Sequence, residues 1–163
     1  MSDRRLRAVI FVLSAAGAGI AAYLTYAHLA DVPVVCVTGG CETVQHSHWS
    51  ELGGIPVAAI GLAGYVLLAA TALFASDLAR GIGAASAVGG FAFALFLVWV
   101  QAAEIHAFCQ WCLASDALLA LIVVAALARA WRAAPPGGGS SRPARRPTGS
   151  GLARPAAPAP PRR

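Results

Sequence analysis

The chain has 163 residues, of which 58% are hydrophobic and only 12% charged, with a formal net charge of +5 at pH 7. A soluble domain carries about twice that charged fraction, so composition excludes an ordinary water-soluble enzyme and places the chain in a bilayer. All twelve basic residues are arginine, and they sit in the tails and one short connector, which argues for membrane topology and against a nucleic-acid partner.

A bilayer span takes about 20 predominantly apolar residues. The first candidate is Ala8–Leu29, preceded by Arg4, Arg5 and Arg7. Its run "AGAGIAA" offers small residues like those of a signal cleavage site. The apolar stretch is nevertheless longer than the roughly 7–15 residues of a signal h-region, so a retained span is predicted.

The connector that follows reads "DVPVVCVTGGCETVQHSHWSELGGIP" and contains no basic Arg or Lys. Cys36 and Cys41 bracket Val-Thr-Gly-Gly, and the glycine pair permits the tight turn that a small-loop disulfide needs. After Cys41, "ETVQHSHW" suits a short amphipathic helix on the end of the bundle, with Trp49 at the interface.

Three more spans are predicted, at Pro56–Ser76, Gly81–Ala103 and Phe108–Ala130, with Pro56 as first helical residue of its span. Glycine and alanine run through them and allow close helix approach in lipid. The predicted fold is all-α and integral to the membrane: a bundle of four transmembrane helices with a short amphipathic helix in the first extracytoplasmic loop. Arg80 lies in the second connector, and Arg129 and Arg132 end the fourth span. By the positive-inside rule both termini are cytoplasmic, and both cysteine-bearing segments face outward. The membrane domain is expected over 1–132. The stretch 133–163 is rich in Pro, Gly and Arg and poor in apolar bulk, and is predicted to be a disordered cytoplasmic tail. The arginine-only, alanine- and glycine-rich composition suggests a bacterial plasma (inner) membrane protein.

The last span opens on "HAFCQWCLAS". Cys109 and Cys112 form a C-x-x-C pair at a helix start, where i and i+3 share a face and the helix N-terminus favours a thiolate at Cys109. Two cysteine pairs on one face of a membrane suit sequential thiol–disulfide exchange through a mixed disulfide. Two other readings stand beside it. His46, His48 and His106 lie on the same side, so a Cys/His zinc site can be drawn. Alternatively, the cysteines form only static disulfides in a structural membrane subunit. Asp116 lies one turn beyond Cys112. A charge at a helix centre costs about 2.5–3.5 kcal/mol on insertion scales, so its carboxylate is either hydrogen-bonded within the bundle or part of a proton relay.

The run "CVTGGCETVQHSHWSELGGIPVAAIGLAGY" together with "FCQWCLASD" resembles bacterial members of the vitamin K epoxide reductase family, over Ala8 to Ala130. The shared motifs are a loop cysteine pair, a serine six residues after its second cysteine, Gly-Ile-Pro entering a span, and C-x-x-C opening the last span. The resemblance implies a four-helix bundle around a quinone, with electrons drawn from a thioredoxin-like protein, and disulfide formation in secreted proteins as the outcome. It assigns exchange with the partner to Cys36, transfer to Cys109 to Cys41, the quinone-facing position to Cys112, and a place near the quinone to Ser47; Asp116 joins them as a candidate at the quinone by its position one turn beyond Cys112. Many bacterial members carry a fused thioredoxin-like domain. Here the chain runs into the Pro/Gly/Arg-rich tail, so a separate DsbA-like (thioredoxin-like) extracytoplasmic partner is expected. Animal members have a tyrosine where this chain has Asp116, which favours menaquinone or ubiquinone over vitamin K epoxide.

Overall fold

The computed structural model of the chain describes residues 2–37 and 39–133. The tail expected from Ala133 onward lies, apart from Ala133 itself, outside the described residues. Four apolar helices make the body: α1 (Asp3–Ala30), α3 (Val57–Leu73), α4 (Asp77–Val100) and α5 (Gln110–Ala133). A five-residue helix, α2 (Cys41–Gln45), lies in the first connector. α1 packs against α3 and α5, and α4 packs against the same two, so the four close a ring. By length and composition, Asp3–Ala30, Asp77–Ile105 and Gln110–Arg132 are able to cross a bilayer, while α3 is apolar but has only 17 residues.

The ring is held by close packing, because lipid tails are as apolar as leucine and offer no hydrophobic gain for helix association. α1 shows how the sequence achieves this. Its buried residues, Leu6, Ile10, Ser14, Gly17, Ala21, Leu24 and Ala27, recur every three or four positions, which is one face of a helix. Gly17 lies directly under the ring of Tyr65 on α3, in space that any Cβ would occupy. Tyr65 in turn reaches across to α5, where its hydroxyl donates to the Ser115 carbonyl at 2.7 Å and lies 2.8 Å from Ser115 Oγ. One glycine therefore admits an aromatic side chain that ties three helices together.

Arginines organise one end of the ring. α3 stops at Leu73, three residues before the predicted end of its span, because Phe74 turns to extended backbone (φ −103°, ψ 143°). The carbonyls left open there are captured by arginines from the three other helices. Arg7 donates to Ala72 O at 2.7 Å and also to Leu73 O. Arg129 donates to Phe74 O at 2.7 Å and Arg80 to Ala75 O at 2.8 Å. Arg129 is only 4% exposed and pairs with Asp3 at 2.9 Å, while Arg80 pairs with Asp77 at 2.8 Å. Ser76 then caps α4 by accepting from Ala79 N–H at 3.2 Å.

The opposite end carries the cysteines. α1 terminates at Asp31 in the left-handed region (φ 51°, ψ 42°), with its N–H returned to Ala27 O. After α2 and a 3₁₀ turn at His48–Ser50, Glu51–Leu52 pairs antiparallel with Ile55–Pro56. Gly53 and Gly54 make the two-residue turn between them with φ of +61° and +81°, the backbone a tight hairpin needs. Pro56 ends this hairpin and is the cap residue of α3, so the helix begins at Val57, one residue after the start expected at Pro56. His28 Nε2 lies 3.0 Å from Glu51 Oε1 and joins the two roots of the connector.

Gly17→Val is expected to push Tyr65 off Ser115, lowering the unfolding midpoint in detergent by an overpacking cost of about 1–3 kcal/mol. Gly19→Val, where an added Cβ meets nothing within 4 Å, should leave the midpoint unchanged. Equal midpoints for the two variants would refute the Gly17–Tyr65 packing.

Candidate redox site

The outer cysteines form a disulfide, Cys36–Cys41, with a Cα–Cα distance of 5.9 Å, while Cys109 and Cys112 are free thiols. Segment 35–37, which carries Cys36, is held on the bundle by side chains from two helices. Val35 N–H donates to Tyr23 Oη at 3.0 Å, and Trp111 Nε1 donates to Val35 O at 2.8 Å. Val37 N–H donates to Gln110 Oε1 at 3.0 Å. Tyr23 and Trp111 also meet edge to face, with ring centroids 5.5 Å apart. The two residues between the C-x-x-C cysteines, Gln110 and Trp111, are therefore the ones that hold the outer cysteine segment.

A backbone contact completes the join. A Cβ on Gly40 would lie 2.5 Å from Phe108 O and 2.9 Å from Phe108 N, so the chain beside Cys41 rests directly on the chain beside Cys109. Only glycine fits there. Cys41 and Cys109 are both fully buried. The structure thus brings the loop pair and the C-x-x-C pair to one place.

Cys109 immediately precedes α5 and behaves as its cap. Cys112 N–H donates to Cys109 Sγ at 3.4 Å, and Leu113 N–H donates to Cys109 O at 3.0 Å. A sulphur in that position faces unpaired amide hydrogens at the helix N-terminus, which favours its thiolate. The Cys109 N–H goes elsewhere, to Gln101 Oε1 at 2.9 Å in a buried contact. Gln101 begins a π-helical turn, Gln101–Ile105, that ends α4, and its own carbonyl accepts from Ala107 N–H at 3.2 Å. His106 closes that turn in the left-handed region (φ 55°).

A cavity of about 390 Å³ lies inside the ring, lined mostly by apolar side chains of all four long helices. Its volume falls within the range of small-molecule pockets, roughly 300–1,000 Å³. Cys112, Ser47, Asp116 and Gln101 bring polar groups to its wall, and Trp49 covers part of it. Three site residues expected from sequence therefore share one chamber, whereas Cys109 lies outside its wall. Ser47 Oγ donates to Val44 O at 2.7 Å. Asp116 Oδ2 is buried without a hydrogen-bond partner. Trp49 meets Phe96 edge to face at 6.0 Å between centroids. Among the described residues, no three His, Cys, Asp or Glu side chains converge as metal ligands.

The family model for the vitamin K epoxide reductase family matches residues 8–127. The chain belongs to that family. Vitamin K epoxide reductase family members are oxidoreductases, and the apolar helices and the Cys36–Cys41 disulfide accord with a membrane redox enzyme. The matched range takes in both cysteine pairs, Ser47 and Asp116. Sequence reasoning missed Gln101, Tyr65 and Trp111. A signal existed for each: Gln101 and Tyr65 are polar groups inside apolar spans, and Trp111 sits between the two cysteines.

Gly40→Ala should lift the loop from Phe108. Amides of Cys41–Gln45 are expected to exchange at least several-fold faster, since neighbouring backbone cannot yield cheaply. Unchanged protection in that variant would mean that the two backbones do not touch.

Proposed function

We propose that this protein is a quinone-dependent thiol–disulfide oxidoreductase that reoxidises a thioredoxin-like (DsbA-like) protein and so supports disulfide formation in secreted proteins. The observation that carries the reading is the division of labour at α5's start. Cys109 is sealed beside the loop disulfide, while Cys112, one turn on, faces the apolar cavity.

The relay balances in three exchanges. A partner dithiol reduces Cys36–Cys41, attacking at the half-buried Cys36, and leaves as a disulfide. Cys41 thiolate then attacks Cys109 of an oxidised Cys109–Cys112 pair, releasing the Cys112 thiol. Cys36 attacks Cys41 in turn, which restores the loop disulfide and leaves Cys109 and Cys112 as a dithiol. A membrane quinone, menaquinone or ubiquinone, supplies the final acceptor of two electrons and two protons. The cavity residues suit such a group: the wall is mostly apolar, Cys112 lies on it, and Asp116 can hold a proton at the unpartnered Oδ2. Ser47 is a further polar residue on the same wall.

The same reading has four spans, with α3 as the second. At about 1.5 Å per residue, its 17 residues rise about 25 Å, a little less than a hydrocarbon core. The hairpin at one end and the arginine-bound carbonyls at the other let it stop short. Arg4, Arg5, Arg7, Arg80, Arg129 and Arg132 gather at the end opposite the cysteines, which supports both termini on the cytoplasmic face of a bacterial plasma membrane and the cysteines outside.

Purified protein with a reduced thioredoxin-like partner should reduce quinone, and Cys109→Ala or Cys112→Ala should each abolish turnover. In Cys112→Ala, Cys109 thiolate is expected to attack the loop disulfide at Cys41, giving a Cys41–Cys109 bridge and a Cys36 thiol open to maleimide. Quinone left unreduced with all four cysteines intact would sink the enzyme reading, and a Cys112→Ala protein holding only Cys36–Cys41 would sink the relay order.

A further inference from the structure

The C-x-x-C motif leaves a capping problem that its own residues cannot solve. A helix start is stabilised reciprocally when the cap side chain accepts from the N3 amide and the N3 side chain accepts from the cap's own N–H. Here Cys109 Sγ performs the first half, accepting from Cys112 N–H. The N3 side chain is Cys112, a residue of the cavity wall, and the Cys109 N–H is bonded to Gln101 instead, so the second half is missing from α5. The Cys109 amide is buried and needs an acceptor.

We infer that Gln101 is the positioning residue of the inner dithiol, supplying from α4's terminal π turn the capping contact that the C-x-x-C motif gives up. This rests on the thiol–disulfide reading above. Three independent features place it in that role. Its Oε1 holds the Cys109 amide at 2.9 Å. It is itself 3% exposed, fixed by backbone bonds that close the π turn behind it. Helix α2, which opens with Cys41, packs on that same turn. One side chain thus sets the height of Cys109 relative to both sulphurs with which it exchanges: Cys41 on the loop and Cys112 on the cavity wall. A wide π turn is what brings a residue of α4 round to reach α5's cap, and such turns recur at functional sites.

The chemistry that depends on this aim is the in-line attack between Cys41 and Cys109. The partner's attack on Cys36 does not depend on it, because that segment is held by Tyr23, Gln110 and Trp111 instead. Loss of the Gln101 contact should therefore slow one exchange and spare the other, whereas general loosening of the bundle would slow both.

The test uses the full-length protein in detergent, in a Cys112→Ala background where the only inner exchange is between Cys109 and the loop disulfide. Gln101→Leu is expected to slow formation of the Cys41–Cys109 bridge about tenfold, the worth of one buried hydrogen bond. The rate at which a reduced thioredoxin-like protein attacks Cys36 of the loop disulfide, read in a Cys109→Ala background where no inner bridge can form, should stay unchanged by Gln101→Leu. Gln101→Glu, read at a pH low enough to keep its carboxyl protonated and so a neutral acceptor at the same reach, should restore most of the bridging rate that Gln101 gives at that pH. Equal slowing of both reactions, or no rescue by Gln101→Glu, would overturn the proposal. If Gln101→Leu does not fold, amide exchange in the unsubstituted protein decides: the Cys109 amide must be protected at least as well as that of Ala107, which the π turn holds, and faster exchange overturns the proposal. If no variant bridges but the Cys109 amide is protected as expected, the relay order fails while the capping contact stands.

Discussion

A chain in a bilayer has no water to satisfy its backbone, so each place where a helix stops must be covered by a group from the protein itself. Two helix breaks in this chain are covered from a distance, and the rest of the architecture follows from how that is done. At the α3–α4 corner, four successive carbonyls, 72 to 75, are met by Arg7, Arg129 and Arg80 from three different helices. At the α4–α5 connector, the buried amide of Cys109 is met by Gln101. The first arrangement uses charge and lies at the end rich in arginine. The second uses a neutral carboxamide, which suits a place where a fixed charge would bias the sulphur beside it.

That contrast bears on stability as well as chemistry. A buried charged side chain is costly unless it is paired with an opposite charge and hydrogen-bonded. Arg129 meets this condition through Asp3 and the Phe74 carbonyl together. The corner is therefore a set of interlocked pairs rather than a flexible hinge, and it fixes α1, α4 and α5 around the end of α3. The cysteine end is built differently. Its parts are joined by single hydrogen bonds, an edge-to-face ring pair and one glycine contact, interactions that permit exchange of a disulfide without dismantling the bundle.

Much of this could be read in the sequence, and what could not be read has an identifiable cause. Hydropathy marks the apolar helices because side-chain transfer into lipid is a local property, summed along the chain. The family resemblance implied Ser47 and Cys112 at a common ligand, with Asp116 one turn beyond Cys112, and all three line one cavity. The end of α3 was not legible, because "LFAS" is as apolar as what precedes it, and helix termination there depends on arginines 66 and 55 positions away in sequence. Pro56 was expected inside the helix on local preference, yet the Gly53–Gly54 turn draws it into a hairpin first. Gln101 stood out as a polar group in an apolar span, but its partner could not be read: that partner is an amide, and every residue but proline has one. The disulfide-bonded loop was anticipated as a possibility from its glycines, but the reason Gly40 must be glycine lies in Phe108.

The spacing of the C-x-x-C pair acquires a physical meaning from the two surroundings it connects. Three residues of helix turn the chain almost once and advance it about 4.5 Å. Over that distance the environment changes from a fully buried seam against the loop, at Cys109, to the wall of an apolar chamber, at Cys112. A closer pair would place both sulphurs in one compartment, where a lipid-soluble acceptor and a protein disulfide would compete for the same thiol. A pair farther apart could not close a disulfide within a single helical turn. The two residues between the cysteines are not spacers either, since Gln110 and Trp111 hold the loop that delivers Cys41. In the proposed relay, the motif thus separates the two exchange partners, links them by one bond, and clamps the loop that feeds them, all within a single turn of α5.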